Sequence, residues 1–156
     1  MKYAKNQQGV STVEFALVAV VLFTLIFGVI EVARAFFVAS VLDEATRRGA
    51  RMAAVCPIND PAIALTAAFN NALISDLDSS DIVVEYVDGT GTIVGSPATP
   101  ANFRLIRYVR VRVVGYQHQM NIPFVSGLAA FFMPEFETVL PRESLGVPRE
   151  GAITPC

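Results

Sequence analysis

From Phe15 to Ile30 the chain reads FALVAVVLFTLIFGVI, sixteen residues with Thr24 as the one polar side chain and Glu14 and Glu31 at the two ends. A helix needs about 20 apolar residues to cross the hydrocarbon core of a bilayer. The run alone is short of that, but VARAFFVASVL continues it, and Glu31 and Arg34, three apart, can pair on one helical face. The pattern predicts a membrane-spanning helix over about residues 15–38. Helical spacing persists in DEATRRGAR, where Asp43 precedes Arg47 and Glu44 precedes Arg48 by four residues, the better order for helix pairs. Pro57 then ends the helix, because the residue before a proline is pushed out of the α region. The first element is read as residues 10–56, with roughly half of its length standing clear of the membrane.

Asp60-Pro61 predicts a second helix, with aspartate as N-cap and proline at the first helical position. Leu65, Phe69, Ala72 and Leu73 recur at helical spacing, so this helix is expected to cover a sheet. The acidic run Asp76 to Asp81 has too thin a ligand set for calcium and reads as a solvated loop. Beyond it the period changes to two. Ile82, Val84 and Tyr86 alternate with Val83, Glu85 and Val87, and a turn at Gly89-Thr90-Gly91 leads to Thr92-Ile93-Val94, which reads as a hairpin. In YVRVRVV, Val109, Val111 and Val113 share one face and Tyr108, Arg110 and Arg112 the other. A last strand is expected within Phe136 to Leu145, and the apolar stretch Phe124 to Phe136 is expected to be buried or partner-facing. The fold class is α+β: a long N-terminal membrane-spanning α-helix, then a small extracytoplasmic domain, residues 57–156, with a short helix packed on an antiparallel sheet.

Composition narrows the chemistry. The chain has 156 residues, 53% of them apolar and 17% charged, which suits one modest domain plus an oily segment. Twelve basic against fourteen acidic residues give no general case for nucleic acid. Two cysteines and one histidine are too few for a structural zinc site, and no metal or cofactor is expected. Four arginines lie between Arg104 and Arg112, and the span Asp60 to Asp88 has six acids and no base. The basic stripe is read as neutralising a neighbouring strand or loop, with a docking surface as the alternative. His118, within the polar run YQHQMN, reads as a surface residue, and with no G-x-S-x-G or Gly-rich phosphate loop no enzyme is expected.

Lys2 and Lys5 precede the span in a segment without an acid before Glu14, which places the N-terminus in the cytoplasm and the rest outside. Thiols can oxidise there, so Cys56 and Cys156 are disulfide candidates; two free thiols or pairing between chains are the alternatives. A cleaved secretory signal ending at Ala33-Arg34-Ala35 is disfavoured: its apolar region is too long, opens with a glutamate and leaves charges on both sides of the cut.

The junction KNQQG|VSTVEFAL is the informative one. A carboxylate carried to the centre of a membrane helix costs about 2.5–3.5 kcal/mol. A cut after Gly9 would free an α-amine on Val10, one helical turn from Glu14, able to oppose that charge in the same or an adjacent chain. The alternative is an interfacial glutamate favoured by the helix macrodipole. With its Gly9, Glu14 and Phe15, followed by IEVARAFF and ATRRGARMAA, the chain resembles the TadE-like pseudopilins of tight-adherence (Flp-type) pilus systems. The resemblance implies a pilin-like fold and a cytoplasmic leader, residues 1–9, removed after Gly9 by an aspartic prepilin peptidase. It also implies a minor pilin role without enzymatic activity, and Glu14 with Phe15 as the processing and assembly motif. The implied partners are the peptidase, other pilins or pseudopilins, the inner-membrane assembly platform and membrane lipid. A plain membrane-anchored interaction domain, or a small secreted enzyme beginning at Phe36, would account for the hydropathy but not for Gly9 and Glu14 together.

Overall fold

The structure, a computed structural model, describes residues 8–74, 76–119, 131–147 and 156. The chain divides into two compact units, residues 1–37 with 118–131 and residues 38–117 with 132–156. One helix, α1 (Gln8–Val55), runs for 48 residues. No proline interrupts the sequence before Pro57, and Thr24 Oγ1 donates to Val20 O at 2.8 Å, so its hydroxyl is satisfied within the helix.

In the first unit the helix is bare as far as Ile30. Val10, Phe15, Leu17, Leu25 and Ile30 are all more than half exposed. The most apolar 18-residue window of α1 has mean hydropathy 2.7 and none of it is buried. An apolar surface that size is not stable in water. Length and composition make α1 a candidate single-pass membrane anchor.

The second unit holds the core. Strands β1 (Ile82–Val87), β2 (Tyr108–Val113) and β5 (Phe136–Pro141) form an antiparallel sheet in the order β1-β2-β5. Strands β3 (Gln117–His118) and β4 (Phe131–Phe132) make a separate two-stranded pair. Period-two alternation sorts the sheet as the sequence predicts. Val109 and Val111 are fully buried and Val113 nearly so, beside Ile82 and Tyr86, while Arg110 and Arg112 lie on the other face. These valines join Val38, Leu42, Ala45, Ala50 and Ala53 of α1 in one core. Small residues bring the helix close: a Cβ on Gly49 would lie 3.0 Å from both Ala67 Cβ and Val111 Cγ1. Buried Thr46 completes the seam, donating to Asp43 O at 2.8 Å and lying 2.9 Å from Thr138 Oγ1.

Helix α2 (Pro61–Ala67) starts as its sequence dictates, with the Asp60 carboxylate accepting from Ala62 N at 2.9 Å and Pro61 in the first turn. It stops earlier than its apolar spacing implies. Phe69, Asn70 and Asn71 all have φ between 51° and 60°, which breaks the helix, and Ile63 and Ala67 are buried where Leu65 and Leu73 were expected. A four-residue helix, α3 (Pro100–Phe103), follows the Gly/Pro loop. The expected hairpin shrinks to a bridge, Val87↔Ile93, in which Val94 N donates to Tyr86 O at 2.8 Å and Asp88 N to Thr92 O at 2.9 Å. Asp88 is the reason: its Oδ1 accepts from Thr90 N, Thr90 Oγ1 and Thr92 N, closing the turn through a side chain. The Thr90 hydroxyl first, then the backbone N–H groups, hold the Asp88 carboxyl below the usual carboxylate range.

Candidate functional site

Three places carry the polar chemistry singled out by the sequence, and each is positioned by α1. At its start, Gly9 and Val10 lie inside the helix, so the Gly9–Val10 peptide bond belongs to its first turn. That turn contains no acid. Val10, Glu14 and Phe15 are all exposed, Val10 and Phe15 by 70% and 74%. Val10 and Glu14 are four apart, about 6 Å along the axis and on one face. This is the spacing at which an α-amine on Val10 and the Glu14 carboxylate become neighbours.

The second place is Glu31. Arg34 donates from one guanidinium nitrogen to both Glu31 oxygens, at 3.1 and 3.3 Å, which is the pairing read from their spacing. His118 is a correction to the sequence reading. It is 1% exposed, not at the surface, and its Nε2 lies 3.1 Å from Glu31 Oε1. Its Nδ1 has no hydrogen-bond partner among the described residues. The polar neighbours of His118 in sequence concealed this. Only the 87-residue separation closed by the fold puts it on Glu31, which is 6% exposed.

The third place is the end of α1. Cys56 and Cys156 are joined by a disulfide with Cα atoms 5.7 Å apart. Cys156 N donates to Asp60 Oδ2 at 3.1 Å, so the aspartate that caps α2 also holds the bridged residue.

Two of the four arginines of the basic stripe are spent within the sheet, while Arg104 and Arg107 are exposed. Arg110 Nε donates to Glu85 Oε2 at 2.7 Å and Arg112 to Glu85 Oε1 at 2.9 Å, as expected of a stripe that neutralises a neighbouring strand. On α1, Asp43 pairs with Arg47 at 2.8 Å, but Arg48 lies 5.2 Å over the ring of Phe69, where Glu44 was expected as its partner. Asp78 and Asp81 cap each other's backbone in the acidic loop. No three His, Cys, Asp or Glu side chains gather into a metal-binding group among the described residues. The stretch 120–130, within which most of the apolar segment after His118 falls, lies outside the described residues.

Residues 9–51 match the family model of the TadE-like proteins. This segment, 43 of the 156 residues, is similar to the TadE-like proteins. The match opens at Gly9 and takes in Glu14, Glu31, Arg34 and the Asp43–Arg47 pair. The TadE-like part is thus α1 almost in full, and the sheet lies outside it. No curated protein and no solved structure matches the chain.

Proposed function

We propose that this protein is a minor pilin or pseudopilin needed to assemble a tight-adherence type IV pilus, and that a prepilin peptidase cuts it after Gly9. One observation carries the reading. The TadE-like match begins at Gly9, the exposed apolar stretch of α1 follows directly, and Glu14 falls one turn beyond the new N-terminus. The helix anchors the subunit in the cytoplasmic membrane, N-terminus inside and head extracytoplasmic. Assembly exchanges lipid for neighbouring pilin helices, and the Val10 amine with Glu14 sets register during that exchange. The assembly platform and other pilins are the partners. TadE-like proteins are structural, pilus-associated proteins, so the chain itself carries no reaction.

The test is mass spectrometry of the mature chain from cells with and without the peptidase. The reading expects a first residue of Val10 that depends on the peptidase. A chain that retains residues 1–9 in pilus-producing cells would leave a plain membrane-anchored domain as the better account.

A further inference from the structure

We infer that Glu31, Arg34 and His118 form a polar collar that fixes the depth of α1 in the bilayer, with Arg34 presented to the lipid headgroup phosphates. The hydrocarbon core then spans Val10 to Ile30, not residues 15–38. The inference rests on the membrane reading given under the proposed function and adds where the membrane ends.

Length and burial define both edges. Val10 to Ile30 covers 21 residues, about 31 Å at 1.5 Å per residue, and a hydrocarbon core is about 30 Å thick. Within it the large apolar side chains are exposed, and Glu14 is the one charged residue. At Glu31 the character changes. Glu31 is 6% exposed, and its carboxylate meets both Arg34 and His118 at 3.1 Å. At Val38 it changes again: that side chain is 4% exposed and belongs to the protein core with Leu42 and Ala45. A span reaching Val38 would carry those core neighbours into hydrocarbon with it. Glu31 to Phe37, seven residues and about 10 Å of helix, is close to what a headgroup layer of roughly 5–8 Å requires.

The chemistry of the collar fits that layer. One guanidinium nitrogen of Arg34 serves Glu31, and the Arg34 side chain remains 39% exposed, so the fork can also engage a phosphate oxygen. Sinking the helix by a turn would drag the Glu31–Arg34 pair into hydrocarbon, and raising it would wet Phe27 and Ile30.

The chain contains no tryptophan, so single reporters at exposed positions read depth directly. Full-length Val20→Trp, Phe27→Trp and Phe37→Trp proteins are placed in phosphatidylcholine vesicles brominated near the headgroup or near the chain end, with Leu65→Trp as the head control. The collar predicts that the residue-20 reporter is quenched most by chain-end bromine. The residue-27 reporter should be shallower, and the residue-37 reporter should respond only to headgroup-proximal bromine. Adding Glu31→Leu should let the helix sink, bringing a blue shift and new chain-end quenching at residue 37. A deepest reporter at residue 27, or no change at residue 37 on Glu31→Leu, would overturn the collar while leaving the anchor in place. Loss of lipid quenching at all three helix positions would instead overturn the membrane reading beneath it.

Discussion

A Cβ placed on Gly146 would lie 2.6 Å from Pro57 Cγ and 2.7 Å from Pro57 N, and Gly146 holds φ +75°. The crowding follows from how α1 ends. Its last carbonyls lack intrahelical partners, and the segment after β5 supplies them. Ala54 O accepts from Glu143 N and Leu145 N, and Val55 O accepts from Gly146 N at 2.6 Å and from Ser144 Oγ at 3.0 Å. Gly146→Ala therefore meets both left-handed strain and a backbone clash, and should cost about 2–4 kcal/mol. Gly91→Ala has φ +87° but open space around it, so it should cost only about 1 kcal/mol. Denaturant unfolding of the two variants in detergent compares them; equal losses would remove the Pro57 contact from the account.

Some of this was legible in the sequence and some could not be. Val109, Val111 and Val113 announced their face because a strand's alternation is local, and Asp60-Pro61 announced a helix start because capping is local too. The end of α2 was misread because apolar spacing ran on through Phe69 to Leu73. The signal against it was the pair Asn70-Asn71, residues that tolerate positive φ. His118 had no local signal at all. Its burial depends on a carboxylate 87 positions earlier, and a polar sequence neighbourhood says nothing about such a partner. The closure of α1 by residues 143–146 was equally hidden, since backbone N–H groups carry no side-chain signature.

Glu85 holds two arginines with a side chain only 13% exposed. Removing it strips both of their charge-assisted bonds at once and leaves two like charges near each other. Glu85→Ala should destabilise the head by about 2 kcal/mol, and Arg110→Ala by less, because Arg112 continues to neutralise the carboxylate. Thermal unfolding of the single and double variants should be non-additive. Additive losses would mean that the three side chains act independently.

The Cys56–Cys156 bridge encloses a separation of 100 residues. In the chain-entropy account, closing a loop of that size stabilises by about 4–5 kcal/mol. Reduction, or Cys156→Ser, should lower the denaturant midpoint of the head accordingly, with a steeper loss than Asp60→Asn, which removes charge from the acceptor for Cys156 N and Ala62 N. An unchanged midpoint on reduction would show that the closed loop contributes little.

Tyr86 is 2% exposed and its hydroxyl lies 3.3 Å from Asn59 N as acceptor. Burial pushes its pKa above the usual phenol value; the Asn59 N–H opposes this and nearby Asp60 adds to it. A folded pKa raised above the unfolded one means that the folded state holds this proton longer. The associated stability is complete below pH about 10 and is lost as pH rises through the folded value. Absorbance titration should resolve one late-ionising tyrosine that disappears in Tyr86→Phe. The variant's stability should also fall less steeply on the alkaline side. A late phase that survives Tyr86→Phe would assign the shift to another tyrosine.

Glu14 separates anchoring from assembly. Its side chain is exposed on a helix whose apolar window is otherwise bare, so removing the charge takes nothing from the folded head and makes insertion easier. Glu14→Ala should leave membrane fractionation, the disulfide and head stability at wild-type levels. In the proposed mechanism it removes the counter-charge of the Val10 amine, and neighbouring helices lose the contact that fixes their register. Surface pili should then be lost, and Glu14→Asp, which keeps the charge on a shorter arm, should restore them in part. Quantifying sheared pili beside membrane-retained subunit distinguishes this from simple loss of the protein. Wild-type pilus levels in Glu14→Ala cells would remove the carboxylate from assembly and leave it as a tolerated charge near the start of the span.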